Sequence, residues 1–178
     1  LQYAMGEPKA ALATIQEISQ AVRNGNFESY LDVSAALEAD FQLKLGNINA
    51  VEQWAPGVRL PAEDEQLSLM REIELQAYVK YLISTGQLEQ AETLLTRLEE
   101  SVRLSGRNLV RLTNLLLQAL VYNQLNQPEK METALSQALR LAEPEDYREV
   151  FIQVGPDLIA LLPAVQHLAP HFVDIVLG

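Results

Sequence analysis

Apolar residues recur every three or four positions over most of the chain, a spacing that predicts a succession of amphipathic α-helices. Between residues 109 and 125 nearly every position is apolar, which predicts a helix buried between its neighbours. In the helix predicted over 27–45, the packing stripe falls on Tyr30, Leu31, Ser34, Leu37, Phe41 and Leu45. The other predicted helices cover residues 10–22, a short stretch ending at 54–55, 67–85, 88–104 and 128–142.

One turn signal recurs between these helices at a fixed interval. Gly6, Gly46, Gly86 and Asn126 stand 40 positions apart, and a new helix is predicted shortly after each. Gly and Asn are the residues best suited to the left-handed conformation that ends many helices. A fixed period of this length is typical of stacked helical hairpins. We therefore predict an all-α array of about four hairpins over residues 1–144.

The period breaks after Pro144, where shorter helices are predicted over residues 147–154, 156–167 and 170–177. Terminal elements of a helical stack are atypical, because they seal its open end. Residues 145–178 are therefore predicted to form a helical C-terminal cap of the same array.

Composition supports a folded, helical chain. Of the 178 residues 48% are hydrophobic, and Gly and Pro number only eight each, so disorder is not expected. Cysteine is absent, which removes disulfides and thiolate metal sites and fits a reducing compartment. The chain has neither an apolar run of membrane-spanning length nor a signal-peptide pattern, so a cytoplasmic location is predicted. Leu1 is not an initiator, and we expect this sequence to be a piece of a larger protein.

The net charge of −11 limits the partners that this segment is expected to bind. Phosphate backbones and anionic membrane surfaces are bound by clustered Lys and Arg side chains. We therefore predict no direct binding of nucleic acid and no membrane association.

Candidate catalytic chemistry is sparse. The sequence shows no recognisable Ser-His-Asp or Cys-His catalytic set, so the segment is predicted not to be an enzyme and to hold no cofactor. His167 and His171 have the spacing of a metal pair on one helix, but Pro170 lies between them and no further ligand completes the set. Trp54 could stack on a sugar, although its place at the end of an amphipathic helix favours a packing role.

The spacing of small and large apolar residues is similar to that of tetratricopeptide repeats. Met131, Leu135 and Ala138 follow the turn at Asn126 in this pattern, with the same order after Gly86 and Gly6. The 40-residue period is longer than usual for that repeat, so each helix is expected to be longer by about a turn.

A sharper resemblance covers residues 50–162. The segments 50–54 (AVEQW), 69–74 (LMREIE), 86–91 (GQLEQA) and 139–151 (LRLAEPEDYREVF) resemble the helical-repeat sensor domain of large ATP-dependent LuxR-type, or MalT-like, transcriptional regulators. The resemblance implies a right-handed superhelix between an ATPase module and a C-terminal DNA-binding module. It also implies that an inducer binds the segment and promotes self-association on DNA.

The chain departs from that family in three respects. It has no Gly-rich phosphate loop and no basic helix-turn-helix. The segment is therefore not expected to bind ATP or DNA through the elements that the family uses for them. An acidic Gly-Glu pair frequent in the family is replaced by the sequence of residues 153–156 (QVGP).

As the resemblance implies, the first helix of each hairpin lines the concave face of the superhelix. Polar groups in a row along such a groove can orient a small ligand or a peptide, although each could equally be part of a hydrated helix face. Arg71 and Arg111 also recur at the period and could instead pair with acids of an adjacent helix. The candidate ligand- or partner-binding residues are Asp40, Lys44, Gln76, Lys80, Ser84, Thr113, Asn123 and Gln124.

The sequence therefore favours a non-catalytic sensor or interaction segment of a LuxR-type regulator. Its expected partner is a small-molecule inducer, a protein or a peptide in the groove, and self-association is a further possibility. The alternative is a general TPR scaffold that recruits a protein without any small-molecule ligand.

Overall fold

The computed structural model describes residues 8–25, 28–62 and 64–178, which form α-helices without any strand among them. Two short 3₁₀ segments accompany them, Ala55–Gly57 directly after the third helix and Leu162–Leu168 directly before the last one. The prediction of an all-α chain is confirmed. The helices are α1 (Pro8–Asn24), α2 (Glu28–Lys44), α3 (Ile48–Trp54), α4 (Leu69–Ser84), α5 (Leu88–Ser105), α6 (Asn108–Gln124), α7 (Pro128–Ala142), α8 (Arg148–Val154), α9 (Pro156–Ile159) and α10 (Pro170–Leu177).

The periodic turn residues adopt the conformation that their identity predicts. Gly46, Gly86 and Asn126 have φ angles of 76°, 73° and 55°, in the left-handed region. The prediction for Gly6 falls outside the described residues.

Two of these turns close their helices with the same hydrogen bond. The amide of Asn47 donates to the carbonyl of Gln42 at 2.9 Å, and the amide of Gln127 donates to that of Tyr122 at 2.8 Å. A bond spanning five residues around a left-handed residue is the Schellman motif, which satisfies a carbonyl left without a partner at the helix end.

Left-handed residues also occur 20 positions after Gly86 and after Asn126. Gly106 ends α5 with a φ of 69°, and Asp146 has a φ of 55° after α7, where the amide of Tyr147 donates to the carbonyl of Ala142 at 3.0 Å. The aspartate was not predicted as a turn residue, although Asp tolerates this conformation better than most side chains.

The chain divides into two compact units between Thr85 and Gly86. In the first unit, α2 packs against α1, α3 and α4. The boundary predicted from the sequence is a different one, between the repeats at 1–144 and the cap at 145–178, and it stays a prediction.

The buried side of α2 differs from the predicted stripe. Tyr30 and Leu37 are 49% and 48% exposed, whereas Val33, Ala36 and Ala39 are buried. Because three helices contact α2, small side chains lie where the backbones approach each other. The helical period was correct, but the predicted stripe is only partly the packing side: Ser34 is buried, and Leu31, Phe41 and Leu45 are half-buried.

In the second unit, α6 packs against α5, α7, α8 and α9. Leu115, Leu116 and Leu117 point to three sides of this helix, about 100° apart, and all are buried, which confirms that the apolar segment 109–125 lies between neighbours. Phe151 of α8 is buried and meets Phe172 of α10 edge-on, with ring centroids 5.4 Å apart.

The single helix predicted over 156–167 does not form. The chain instead makes the short α9 and then the 3₁₀ segment Leu162–Leu168. Pro163 has no amide hydrogen to donate to the carbonyl of Ile159, and its ring would collide with that carbonyl in an α-helix. The proline therefore explains the break.

Candidate functional site

Three of the candidate residues form an ion cluster in the first unit. The ammonium of Lys80, on α4, donates to one carboxylate oxygen of Asp40, on α2, at 2.6 Å. The ammonium of Lys44, one turn along α2, lies 2.9 Å from the other oxygen. The side chains of Asp40, Lys44 and Lys80 are 15%, 22% and 23% exposed, so the cluster is shielded but still reachable from solvent.

The lysines determine the charge state of the aspartate. Burial by itself would raise the pKa of the Asp40 carboxyl, but the charges and hydrogen bonds of Lys80 and Lys44 outweigh it, and the pKa is lowered. Two of the four lysines in the sequence thus share one carboxylate. The cluster carries a formal charge of about +1, the sum of two cations and one anion, within a strongly acidic chain.

Two further candidates extend this cluster along α4. Gln76 is buried one turn before Lys80, and Ser84 is exposed one turn after it. The Ser84 hydroxyl donates to the carbonyl of Tyr81 at 2.8 Å. Because residues four apart share one face of a helix, α4 presents a polar column beside the aspartate.

Trp54 belongs to an aromatic group in the same unit. Its ring meets Tyr78 edge-on at a centroid distance of 6.4 Å, and Tyr78 lies 5.9 Å from Tyr81. The indole is half-buried, which fits the packing role expected from the sequence.

The three candidates on α6 do not form a comparable cluster. Thr113 is half-buried and its hydroxyl donates to the carbonyl of Leu109 at 3.2 Å, within its own helix. Asn123 and Gln124 are exposed in the last turn, about 15 Å along the helix axis from Thr113. As binding residues they stay a prediction.

The two periodic arginines behave differently. Arg111 donates to Glu99 of the preceding helix at 2.6 Å, as the interhelical alternative predicted. Arg71 instead pairs with Glu74 on its own helix and lies 3.9 Å from Glu65 in the connector before it. Among the described residues, Arg71 therefore does not follow the alternative of pairing with an adjacent helix.

His167 lies in the second 3₁₀ segment and His171 in α10, and both are exposed. Within residues 8–25, 28–62 and 64–178, no group of three or more potential ligands could hold a metal ion. Over the same ranges, no helix has the length and apolar character needed to cross a membrane.

An open cleft that was not predicted from the sequence lies between α6 and α7 in the second unit, with a volume of about 340 Å³. At one end, the ammonium of Lys130 lies 5.1 Å from the ring centroid of Tyr122 and 3.3 Å from the carboxylate of Glu92, on α5. Burial, and next the charge of Glu92, raise the pKa of the Tyr122 hydroxyl, while Lys130 acts against them. We call this feature the α6–α7 cleft; it is lined by Leu115, Gln118, Tyr122, Glu129, Lys130, Thr133, Ala134 and Gln137.

A signal for the cleft was present in the sequence. Gln118 interrupts the apolar run of α6. A polar side chain inside such a run needs a hydrogen-bond partner in the protein or a position open to solvent. Which residues of α7 lie opposite Gln118 cannot be predicted from the helical period alone, so the cleft could not be recognised from the sequence.

The comparisons with known proteins decide the family. The model of the MalT-like TPR region matches residues 1–168. The chain belongs to this family. No curated protein and no solved structure matches the chain.

Membership extends the resemblance from residues 50–162 to nearly the whole chain and confirms the TPR-like helical-repeat fold. A MalT-like TPR region is a regulator-associated helical-repeat domain, and TPR-type folds are generally non-catalytic. The family match covers the elements that carry the Asp40 cluster and the α6–α7 cleft.

Proposed function

We propose that this MalT-like TPR region is the sensor or interaction segment of a LuxR-type transcriptional regulator. An inducer or a partner contacts the polar side of α2 and α4, where Asp40, Lys44, Gln76, Lys80 and Ser84 lie. The segment itself carries out no catalysis and holds no cofactor, and it acts in the cytoplasm. The family match supports the regulatory role, and the ion cluster supports the location of the contact.

The cluster is the observation that carries the proposal. The Lys80 ammonium has three hydrogen-bond donors, and one of them binds a carboxylate oxygen of Asp40. Donors on Lys80 therefore remain for an acceptor or a negative charge on a ligand. Asp40 holds both ammonium groups in place, so less side-chain freedom is lost when the ligand arrives.

Isothermal titration against oligosaccharides, small metabolites and peptides tests this proposal on the 178-residue chain. A compound that binds is then titrated into Lys44→Met and Lys80→Met, which keep much of the aliphatic stem but remove the charge. Loss of a charged hydrogen bond is expected to weaken the Kd by about tenfold. Arg103→Met is the control, because Arg103 is an exposed cation on α5 outside the cluster.

The results separate the alternatives. If a compound binds with the same Kd to both lysine variants and to wild type, the contact is not at this cluster. If only proteins or peptides give heat, the scaffold function replaces the small-molecule sensor. A full gene without a phosphate-binding loop upstream and a helix-turn-helix downstream would contradict the LuxR-type assignment.

Self-association and DNA binding belong to the same proposal. Sedimentation velocity with and without a bound compound tests whether the ligand promotes self-association. We expect no binding of duplex DNA by this segment at physiological salt, because its net charge is −11.

A further inference from the structure

The α6–α7 cleft lies on a different side of α6 from the sequence candidates Thr113 and Gln124. Leu115, Gln118 and Tyr122 follow the i, i+3, i+7 spacing and share one side of the helix. Thr113 and Gln124 are about 140° and 120° away from Gln118 around the helix axis. The cleft is therefore a separate site, and it uses no residue of the Asp40 cluster.

Polar groups without partners line the middle of the cleft. Among the described residues, the carboxamides of Gln118 and Gln137 have no hydrogen bond within the protein. Leu115 and Ala134 are buried and form an apolar floor between them. Two carboxamides that can each donate and accept, above an apolar floor, suit a small ligand with polar groups on an otherwise hydrocarbon body.

Opposite charges stand side by side at the end of the cleft near Tyr122. Lys130 is 56% exposed, so its ammonium can donate to a further anionic partner in addition to Glu92. The neighbouring Glu129 is exposed, and in the part of the chain that the structure describes it has no ion pair. The Glu129 carboxylate and the Lys130 ammonium thus both line the cleft.

We propose that the α6–α7 cleft binds a small zwitterion with an ammonium and a carboxylate on neighbouring atoms, the chemistry of a free α-amino acid. The ligand carboxylate pairs with Lys130 and its ammonium with Glu129. Its side chain extends along α7 toward Gln118 and Gln137. The volume of about 340 Å³ is at the small end of the range for ligand pockets, which suits a ligand of this size.

The local charges disfavour ligands with a single charge. Glu92, Glu129 and Lys130 sum to about −1 in formal charge, so a simple carboxylate meets more repulsion than attraction. A simple amine pairs with Glu129 but leaves Lys130 without a new acceptor. Only the zwitterion satisfies both groups.

Calorimetric titration of the 178-residue chain with the common L-amino acids tests the inference. We expect saturable binding of one or a few, strongest for those with polar side chains. For the tightest one, the matched amine without the carboxylate and the matched acid without the ammonium should each bind about tenfold more weakly or worse. If no amino acid binds, or if the amine or the acid binds as tightly, the inference is wrong.

Variants on α7 then locate the site. Glu129→Gln and Lys130→Met should each weaken the Kd about tenfold. Glu132→Gln removes the same charge from an exposed position of the same helix outside the lining, and should leave the Kd unchanged. Circular dichroism checks that every variant keeps its helical content. Equal effects of Glu129→Gln and Glu132→Gln would overturn the location, whatever is found at Lys44 and Lys80.

Discussion

Asp40 shows how a single shielded carboxylate can connect two helices. A shielded carboxylate is unfavourable unless nearby cations and hydrogen bonds replace the water it has lost. Lys44 supplies one such group from the same helix, and Lys80 supplies the other from α4, forty positions later. The cluster therefore connects α2 to α4 in the first unit.

Replacing this carboxylate should destabilise the chain. In Asp40→Asn, the two half-buried ammonium groups lose their common counter-charge, and we expect the free energy of unfolding to fall by about 1 to 3 kcal/mol. Urea denaturation followed by circular dichroism measures the change. Asp32→Asn is the matched control, because Asp32 is exposed on the same helix. Equal losses in the two variants would show that the ion cluster adds nothing to stability.

The same residue predicts a dependence of stability on pH. Because the pKa of Asp40 is lowered in the folded chain, its stabilisation is present above the unfolded pKa, near 3.8, and is lost as the pH falls through the folded value. The difference in unfolding free energy between wild type and Asp40→Asn should therefore be constant from pH 7 to about pH 5 and shrink below about pH 4. Urea titrations at several pH values measure it. A difference that grows on acidification would contradict the direction of the pKa shift.

At the scale of the helices, the turns reflect local preferences and the packing sides do not. A glycine at a helix end is favoured by its own backbone freedom, whatever the rest of the chain does. The buried side of α2, by contrast, depends on which helices surround it. Tyr30 and Leu37 are exposed although their spacing is that of a packing stripe.

Gly46 and Gly57 offer a test of this local preference within one unit. An added Cβ would meet nothing within 4 Å at either position, but only Gly46 has a left-handed φ, of 76°. Gly46→Ala should therefore lower the free energy of unfolding by about 1 kcal/mol through backbone strain. Gly57→Ala should be neutral or slightly stabilising, because it restricts the unfolded chain. Thermal and urea denaturation compare the two, and an equal cost would show that the left-handed conformation is not the cause.

At the scale of the whole molecule, each compact unit has a buried core of its own. In the second unit this core includes Leu98, Leu116, Leu135 and Phe151. Helical-repeat proteins are stabilised mainly by contacts within a repeat and with the next one, so a part of the array can fold alone.

Residues 86–178 are accordingly expected to fold without residues 1–85. The isolated segment should be helical by circular dichroism and unfold cooperatively in urea. Leu116→Ala in this segment should cost about 2 to 5 kcal/mol through the cavity it leaves, whereas Leu109→Ala, at a position that is 52% exposed, should cost far less. A segment without a cooperative transition, or equal costs for the two leucines, would contradict an independent core.

The sequence by itself determined the helices, the recurring left-handed turns and the family, because each of these depends on residues close together along the chain. Asp40 and Lys80 could be identified as equivalent positions one period apart, and Pro163, inside the helix predicted over 156–167, is a helix-breaking residue visible in the sequence. Only the tertiary structure decided that Asp40 takes both lysines as partners, which side of α2 is buried, and that Gln118 and Gln137 line one cleft. These features depend on the distances between helices, which a helical period does not contain.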